Sequence, residues 1–412
     1  MSIIRDISIA ASGRKKIEWV ASSMPVLNEI KARFEAEQPF RGRKISMSIH
    51  LEAKTAYLAK TLAAGGAEVY VTGCNPLSTQ DDVAAALVDE GFEVFAWHGA
   101  TEDEYISHLV ETLKCVPDII IDDGGDLIGL LHGEYERFGK NLIAGCEETT
   151  TGISRLYARK KAGKLKYAMF AVNNANCKHL FDNRHGTGQS VWDAIMNSTN
   201  LLIAGKCAVV AGYGFCGKGI AMRGRGLGAR VIICETNPFR ALEAYADGYT
   251  VMPMDKAAEI GDIFITATGC RDIIVKRHFA RMKDGVLLCN AGHFDVEINK
   301  KDLSEAACEE FERKPNIRGY RMKDGRMLNL IGEGRLVNLA AGNGHPAEIM
   351  DLSFAIQALT AQYISRREGG FTPDVYPVPP EIDEQVARVK LKAEGIEYDE
   401  LTAAQRDYLS GW

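Results

Sequence analysis

A glycine turn between two apolar runs constrains this chain more than any other feature. Ala208, Val209, Val210 and Ala211 lead into Gly212, Gly214 and Gly217 at G-x-G-x-x-G spacing, and a second apolar run, 231–234, ends at Glu235. The first run reads as a buried strand, and residues 218–227 read as the helix after the turn. Each part has a mechanical reason. Gly212 permits the tight turn, Gly214 lets backbone approach a pyrophosphate, and Gly217 lets helix pack on strand. The helix N-terminus then offers free N–H groups to phosphates. Glu235 can hold ribose hydroxyls and would repel a 2′-phosphate, which favours NAD over NADP. A lone glycine motif is weak, because such turns also simply join strands to helices. Here strand, helix, second strand and acid are all in place, so a dinucleotide-binding unit is expected.

That unit is only part of the molecule. At 412 residues the chain exceeds one ordinary core, and two or three domains are expected. Net charge is −6 with no lysine–arginine block, which argues against nucleic acid as a partner. No apolar run reaches membrane-spanning length, and the N-terminus has no signal-peptide hydrophobic region. Ten cysteines are scattered singly, without C-x-x-C or a Cys/His cluster at zinc spacing. Cys207, Cys234 and Cys289 sit inside apolar runs, where cysteine acts as a small hydrophobe. A reduced, cytoplasmic protein without structural metal is expected.

Upstream of the glycine turn the pattern alternates. Residues 15–20 and 25–37 read as helices. Strands are expected over 44–49, 68–71, 93–97, 118–121 and 168–172, with helices over 52–64, 80–90 and 102–113. Residues 173–183 read as a polar loop and 189–198 as a bridging helix. Beyond the turn, 263–266 and 286–288 read as strands and 350–364 as an amphipathic helix. A proline-rich stretch, 373–380, precedes a charged C-terminal helix. Strand alternating with helix predicts an α/β chain with two doubly wound, Rossmann-like parallel sheets and a small C-terminal helical segment. Residues 1–185 and 346–385 form the expected substrate-binding domain, 186–345 the NAD-binding domain, and 386–412 a helical tail.

Ligands in doubly wound sheets bind beyond the carboxyl ends of strands. His50, Asp123, Asn173 and His293 stand just past such ends in separate βα units. Bland alternatives stand beside each. Asp-Asp-Gly-Gly-Asp at 122–126 is ordinary turn chemistry, Glu-Glu-Thr-Thr-Thr at 147–151 could cap a helix, and Lys178 in a polar loop could be a solvated lysine. There is no G-x-S-x-G and no zinc motif.

Seven longer stretches carry a resemblance: 74–81, 122–126, 147–152, 178–183, 208–214, 290–297 and 334–338. In order, and over almost the whole chain, they resemble S-adenosyl-L-homocysteine hydrolase. The resemblance implies tightly bound NAD, one per subunit. It implies a reaction in which the ribose 3′-hydroxyl is oxidised, homocysteine is eliminated, water adds, and the ketone is reduced back. It implies that Lys178 and Asp182 act at the 3′-hydroxyl, Lys178 with a lowered pKa. Asp123 and His50 become acid–base groups near C4′ and C5′, and His293 lies beside the reacting carbons and homocysteine. Asn183 lies near the nicotinamide, and Glu148 grips the ribose hydroxyls. Thr149, Thr150, Thr151, Glu235, Asn290 and Asn338 join the glycines as cofactor contacts, and His345 gates access from a hinge at 342–346. A homotetramer is also implied.

The chain departs from the family pattern at the purine. His-x-Thr-x-Glu is replaced by His50, Leu51, Glu52, Ala53 and Lys54. The family's glutamate accepts from adenine's 6-amino group, whereas Lys54 has only donors. Lys54 suits the 6-oxo group of hypoxanthine, and Glu52 could accept from its N1–H. S-inosyl-L-homocysteine is therefore the expected substrate, with S-adenosyl-L-homocysteine as the alternative. Alternatively, Lys54 lies on the outer helix face, since residues two apart share a face only at a helix start. Asn343 stands where a methionine often lines the base pocket, and Thr187 replaces a cysteine near the cofactor. The lysine- and tyrosine-bearing tail that in many relatives reaches a neighbour's NAD is not expected here. An ordinary NAD-dependent dehydrogenase and a non-catalytic NAD-binding regulator are the rival readings.

Overall fold

The computed structural model describes residues 2–367 and 369–411; Met1, Glu368 and Trp412, the expected end of the C-terminal segment, lie outside the described residues. Six strands come first: β1 (Lys44–Ser48), β2 (Glu68–Thr72), β3 (Glu93–Phe95), β4 (Ile119–Asp122), β5 (Ala144–Glu147) and β6 (Met169–Ala171). Eight more follow: β7 (Cys207–Ala211), β8 (Arg230–Cys234), β9 (Thr250–Val251), β10 (Ile263–Thr266), β11 (Leu287–Asn290), β12 (Ala307–Lys314), β13 (Ile317–Met322) and β14 (Met327–Ile331). β15 (Val375–Tyr376) then returns to pair with β6.

Two sheets result, ordered β15-β6-β5-β4-β1-β2-β3 and β12-β13-β14-β11-β10-β7-β8-β9. The first is parallel throughout; the second is parallel except for the antiparallel run β12-β13-β14. Helices cover both faces, so central strands such as β7 and β10 are buried along their whole length and read as apolar runs without alternation. The outermost strand β12 is mostly exposed and carries Glu309, Glu310, Glu312 and Lys314, charges that discourage pairing with another edge.

Several elements differ from expectation. β5 ends in Glu147 and so hides under an apparently polar segment. The β12–β14 run is antiparallel and lacks the βα rhythm used to find the other strands. Residues 173–183 are not a loop: a short 3-10 turn and one helical turn lead into a π-helix, His179–Gly186. The proline-rich stretch contains β15. Helix Pro380–Ala393 runs across residue 385, where the substrate-binding domain and the tail were expected to divide, and its Ile382, Asp383 and Val386 are buried.

Helix Ala347–Ser365 brings the chain back to the first half. It is apolar on nearly all sides and largely buried, as a helix inside a core must be. It re-enters the first sheet's core, where Phe354, Ile356 and Leu359 pack.

Each sheet has a place where its connections reverse direction, between β1 and β4 in the first and between β7 and β10 in the second. Crevices open beyond the strand ends there. Both face one cavity of about 1140 Å³. Among the described residues no helix is long and apolar enough to cross a membrane.

Candidate active site

All the expected site residues line this cavity except Asn343, Gly217 and Asn290. The wall from the second sheet is made mainly of backbone. Gly212 follows β7 at φ +96°, and a Cβ there would meet the Ala267 carbonyl at 2.7 Å. A Cβ on Gly217 would stand 1.9 Å from the Gly212 oxygen, so this glycine serves the packing of turn on helix. A Cβ on Gly214 would meet only an Arg240 nitrogen, at 3.8 Å, which leaves open space above the N-terminus of helix Phe215–Gly226. Glu235 accepts from the backbone N–H of Tyr213 at 2.7 Å, Thr236 at 2.7 Å and Asn237 at 2.9 Å. Burial pushes this carboxyl up, but those three donors outweigh it and hold it below its usual value. Asn338 donates to Ser190 at 3.1 Å, while its buried Oδ1 has no hydrogen-bond partner among the described residues. An anion cradle, a fixed carboxylate and an orphaned amide oxygen fit a dinucleotide.

Asn290 does not contact the cavity. Its amide nitrogen donates to the carbonyls of Gly292, Phe294 and Gly334 at 2.8–3.0 Å, and its oxygen accepts from Gly292 and Thr266. With every polar site filled, it shapes the turn that carries His293 and cannot also hold a cofactor. Asn343 is exposed, and only its carbonyl takes part, accepting from Lys54 Nζ at 3.1 Å. Its side chain therefore does not line a base pocket.

The wall from the first sheet is made of side chains. The Lys178 ammonium donates to Asn183 at 2.8 Å and lies 3.3 Å from Asp182 and 3.5 Å from Glu148. The π-helix widens the turn that brings Asp182 and Asn183 back beside Lys178. Asn183 in turn donates to Asn173 at 3.0 Å. His345 reaches Asp182 at 2.9 Å, and Ser353 donates to the other oxygen at 2.7 Å. Gln357 donates to Glu148 at 2.5 Å. Ser353 and Gln357 sit one helical turn apart on helix Ala347–Ser365. No sequence signal beyond their spacing of four singles them out, since the same helix also buries Asp351, Thr360 and Gln362.

Charge decides the protonation here. Burial alone would lower Lys178, but Asp182, Glu148 and Asp123 outweigh it and hold the ammonium above its usual value. The lowered value expected of Lys178 is not found, because three carboxylates face one cation. Burial would likewise raise Asp182, but Lys178, His345 and Ser353 pull it well below the carboxylate range. Burial pushes Glu148 up to about 7 against the pull of Lys178.

Asp123 lies between two histidines, 3.5 Å from His50 and 3.6 Å from His293, and accepts from the Cys74 thiol at 3.3 Å. His293 comes from the other sheet, after β11. Its approach explains the glycine beside Asp123: Gly124 has φ +99°, and a Cβ there would stand 2.2 Å from His293 Nε2. His50 Nδ1 contacts Ser78 Oγ at 2.6 Å, and Ser78 itself donates to the Asn75 carbonyl at 3.0 Å. With the hydroxyl proton so used, Nδ1 is the donor, and Nε2 faces Asp123. Burial pulls His50 down to about 4, against the carboxylate of Asp123. At neutral pH His50 is therefore uncharged and presents Nε2 to the Asp123 carboxyl group.

Behind these groups lie Asp122 and Glu147, paired across β4 and β5. Asp122 accepts from the backbone of Asp123, Leu127 and Ile128, and Glu147 from Gly124 and Thr149. The helix cap foreseen for the 147–151 stretch is not formed: Thr149 makes no side-chain cap bond, Glu147 holds the backbone of Gly124 and Thr149, and Glu148 faces the cavity.

At the far end Lys54 and Glu52 are both buried and both line the cavity. Glu52 is the N-cap of helix Ala53–Ala64 and accepts the Lys54 backbone N–H at 3.0 Å. The Lys54 ammonium lies 2.8 Å from the same oxygen. Both side chains reach one spot because the helix is only starting there, so Lys54 is not on an outer face.

Comparison with known proteins agrees with this arrangement. The model of the S-adenosyl-L-homocysteine hydrolase NAD binding domain matches residues 183–344, and the model of S-adenosyl-L-homocysteine hydrolase matches residues 2–144. The S-inosyl-L-homocysteine hydrolase of Methanocaldococcus jannaschii is 56% identical over 99% of this chain and 98% of its own length. That of Methanopyrus kandleri is 55% identical, over 99% and 97%. The adenosylhomocysteinase of Thermococcus kodakarensis is also 55% identical, over 99% and 97%. The chain belongs to the S-adenosyl-L-homocysteine hydrolase family and is an NAD-dependent hydrolase.

Proposed function

We propose that this enzyme cleaves S-inosyl-L-homocysteine to inosine and L-homocysteine. Overall identity does not choose the base, since relatives named for either substrate are equally similar. The observation that carries the choice is the Lys54–Glu52 pair. Hypoxanthine presents an acceptor at O6 beside a donor at N1–H; adenine presents a donor beside an acceptor. Lys54 has a third N–H beyond those facing Glu52 and Asn343, and Glu52 Oε1 makes no hydrogen bond among the described residues. A donor next to an acceptor complements hypoxanthine and opposes adenine.

NAD, when bound, supplies the oxidant for the ribose 3′-hydroxyl and the reductant that restores it. The protein's part follows from the geometry. Lys178, Asp182 and Glu148 act as one proton-relaying group at the 3′-hydroxyl, and their titration belongs to the set. Asn183 and Ser353 hold its members in place. His50 and Asp123 take the C4′ proton, and His293, approaching from the other domain, completes the pair over the reacting carbons. His345 couples the hinge to Asp182, so domain closure and assembly of the relay go together. Glu235, Asn338 and the glycine turn hold the cofactor, with Thr149, Thr150 and Thr151 on its substrate side.

We further propose a cytoplasmic homotetramer. Helix Pro238–Ala246 exposes Phe239, Leu242 and Tyr245 along one side, at 81%, 65% and 71%, a stripe suited to contact with another subunit. Light scattering on the purified protein tests the assembly.

The adenosyl thioether is the second reading, favoured by the relatives of that name. Purified enzyme offered both thioethers in competition decides: inosine should be released faster than adenosine. Preferential adenosine release would reverse the assignment. NADH accumulating in free solution would instead indicate an ordinary dehydrogenase.

A further inference from the structure

A substrate of this class carries an amino-acid tail whose carboxylate needs a partner. Five cations line the cavity: Lys54, Arg155, Lys178, Arg240 and Arg277. Lys54 and Lys178 are buried and already face carboxylates. Arg240 stands above the glycine turn, and Arg277 is paired with Asp255 on the second-sheet wall. Arg155 remains, and it lies at the reacting end. Its Nη1 donates to the Gly124 carbonyl at 2.8 Å, one residue from Asp123, and to Asp126 at 3.0 Å. Its guanidinium lies 4.4 Å over the Phe294 ring, which follows His293. Only Nη1 is engaged, so Nη2 and Nε form a free edge among the described residues. Asp126, held by Tyr105 at 2.9 Å, offers a carboxylate beside it.

We infer that Arg155 grips the carboxylate of the homocysteine tail through this free edge, with Asp126 facing the ammonium. The inference rests on the thioether reading proposed above. With the base at Lys54 and the ribose at Lys178, the tail leaves C5′ past Asp123 and His293 and meets Arg155 next. A guanidinium anchored on one nitrogen and stacked on a ring is oriented in advance for a planar, two-point contact. It also spans the domains through Phe294, so the tail is gripped in the closed form.

The test uses the full-length holoenzyme in the synthetic direction, with inosine and, in parallel, adenosine. Homocysteine is compared with 3-aminopropane-1-thiol, which lacks only the carboxylate. Wild type should favour homocysteine. Arg155→Met should lower kcat/KM for homocysteine about ten- to a hundredfold while leaving nucleoside KM and the rate with aminopropanethiol unchanged. Arg155→Lys should recover part of the loss. Wild type using both thiols equally, or Arg155→Met slowing both alike, would overturn the inference, the latter pointing to support of Gly124 and Phe294 only. Failure of wild type to form a thioether from homocysteine and either nucleoside would overturn the hydrolase reading itself, and this inference with it.

Discussion

The two sheets build their halves of the cavity from different materials. In the second, the turn after β7 is a backbone device: Gly212 and Gly217 are required by close approach, and Glu235 is held by three peptide N–H groups. In the first, the segments after β1, β4, β5 and β6 present side chains held by other side chains. Those partners come from far along the chain, as with Gln357 on Glu148 and Ser353 on Asp182. A backbone cradle binds a constant ligand through peptide groups that substitution cannot change. A side-chain network can tune proton affinity, and each exchange in it alters chemistry rather than fold.

If that contrast holds, the largest effect on rate should come from the side-chain wall. Lys178→Met should lower kcat by roughly 10²–10⁴-fold without releasing NAD; steady-state rates with cofactor content check it. Retained activity would place the proton relay elsewhere.

The next largest should come from the backbone wall, and it should be a loss of fold. Gly217→Ala puts a Cβ 1.9 Å from the Gly212 oxygen, so the protein should melt several degrees lower and purify without NAD. Gly214→Ala separates shape from stability. Its Cβ meets nothing closer than 3.8 Å, so the Tm of the NAD-free protein should stay unchanged while bound NAD falls. Equal losses of stability in both variants would erase the distinction between packing glycine and cradle glycine.

The smallest effect is a pH dependence. Glu148 is pushed up to about 7 by burial, and its ionised form is the stronger acceptor for ribose hydroxyls. kcat/KM should therefore fall as pH drops below about 7, and Glu148→Gln should remove that limb along with much of the rate. The folded chain also holds this proton more tightly than the unfolded chain, whose value is near 4.5. Glu148 thus contributes stability that declines as pH rises from about 4.5 to about 7. Thermal melts of the NAD-free protein across that window should show a shallower decline in the Gln variant.

The same contrast explains what the sequence reveals. The NAD wall is legible because its residues are local: three glycines and an acid within 24 positions, each forced by backbone geometry. The strands of the parallel core are legible because burial on both faces makes them apolar runs. β5 escapes that reading by ending in Glu147, and β12–β14 by leaving the βα rhythm. The first-sheet wall is assembled from residues more than 200 positions apart, such as Glu148 and Gln357, and spacing carries no trace of that. Family resemblance points to Lys178, Asp182 and Glu148 but carries no trace of the charge balance among them, in which three carboxylates hold the Lys178 ammonium above its usual value. Asn290 was misread because a conspicuous polar residue after a strand can serve its own turn as well as a ligand. Lys54 stood out by departing from a pattern, and the helix start at Glu52 turns both side chains inward.

The measurement that bears most directly on the account is the ratio of kcat/KM for S-inosyl- and S-adenosyl-L-homocysteine in the wild type and in Lys54→Glu. A donor facing adenine's amino group leaves a mismatched pair costing about 1–3 kcal/mol, or roughly ten- to a hundredfold. The wild type should favour the inosyl thioether by that order, and Lys54→Glu should reverse the preference. A wild type that prefers the adenosyl thioether, with a ratio unmoved by the substitution, would contradict it.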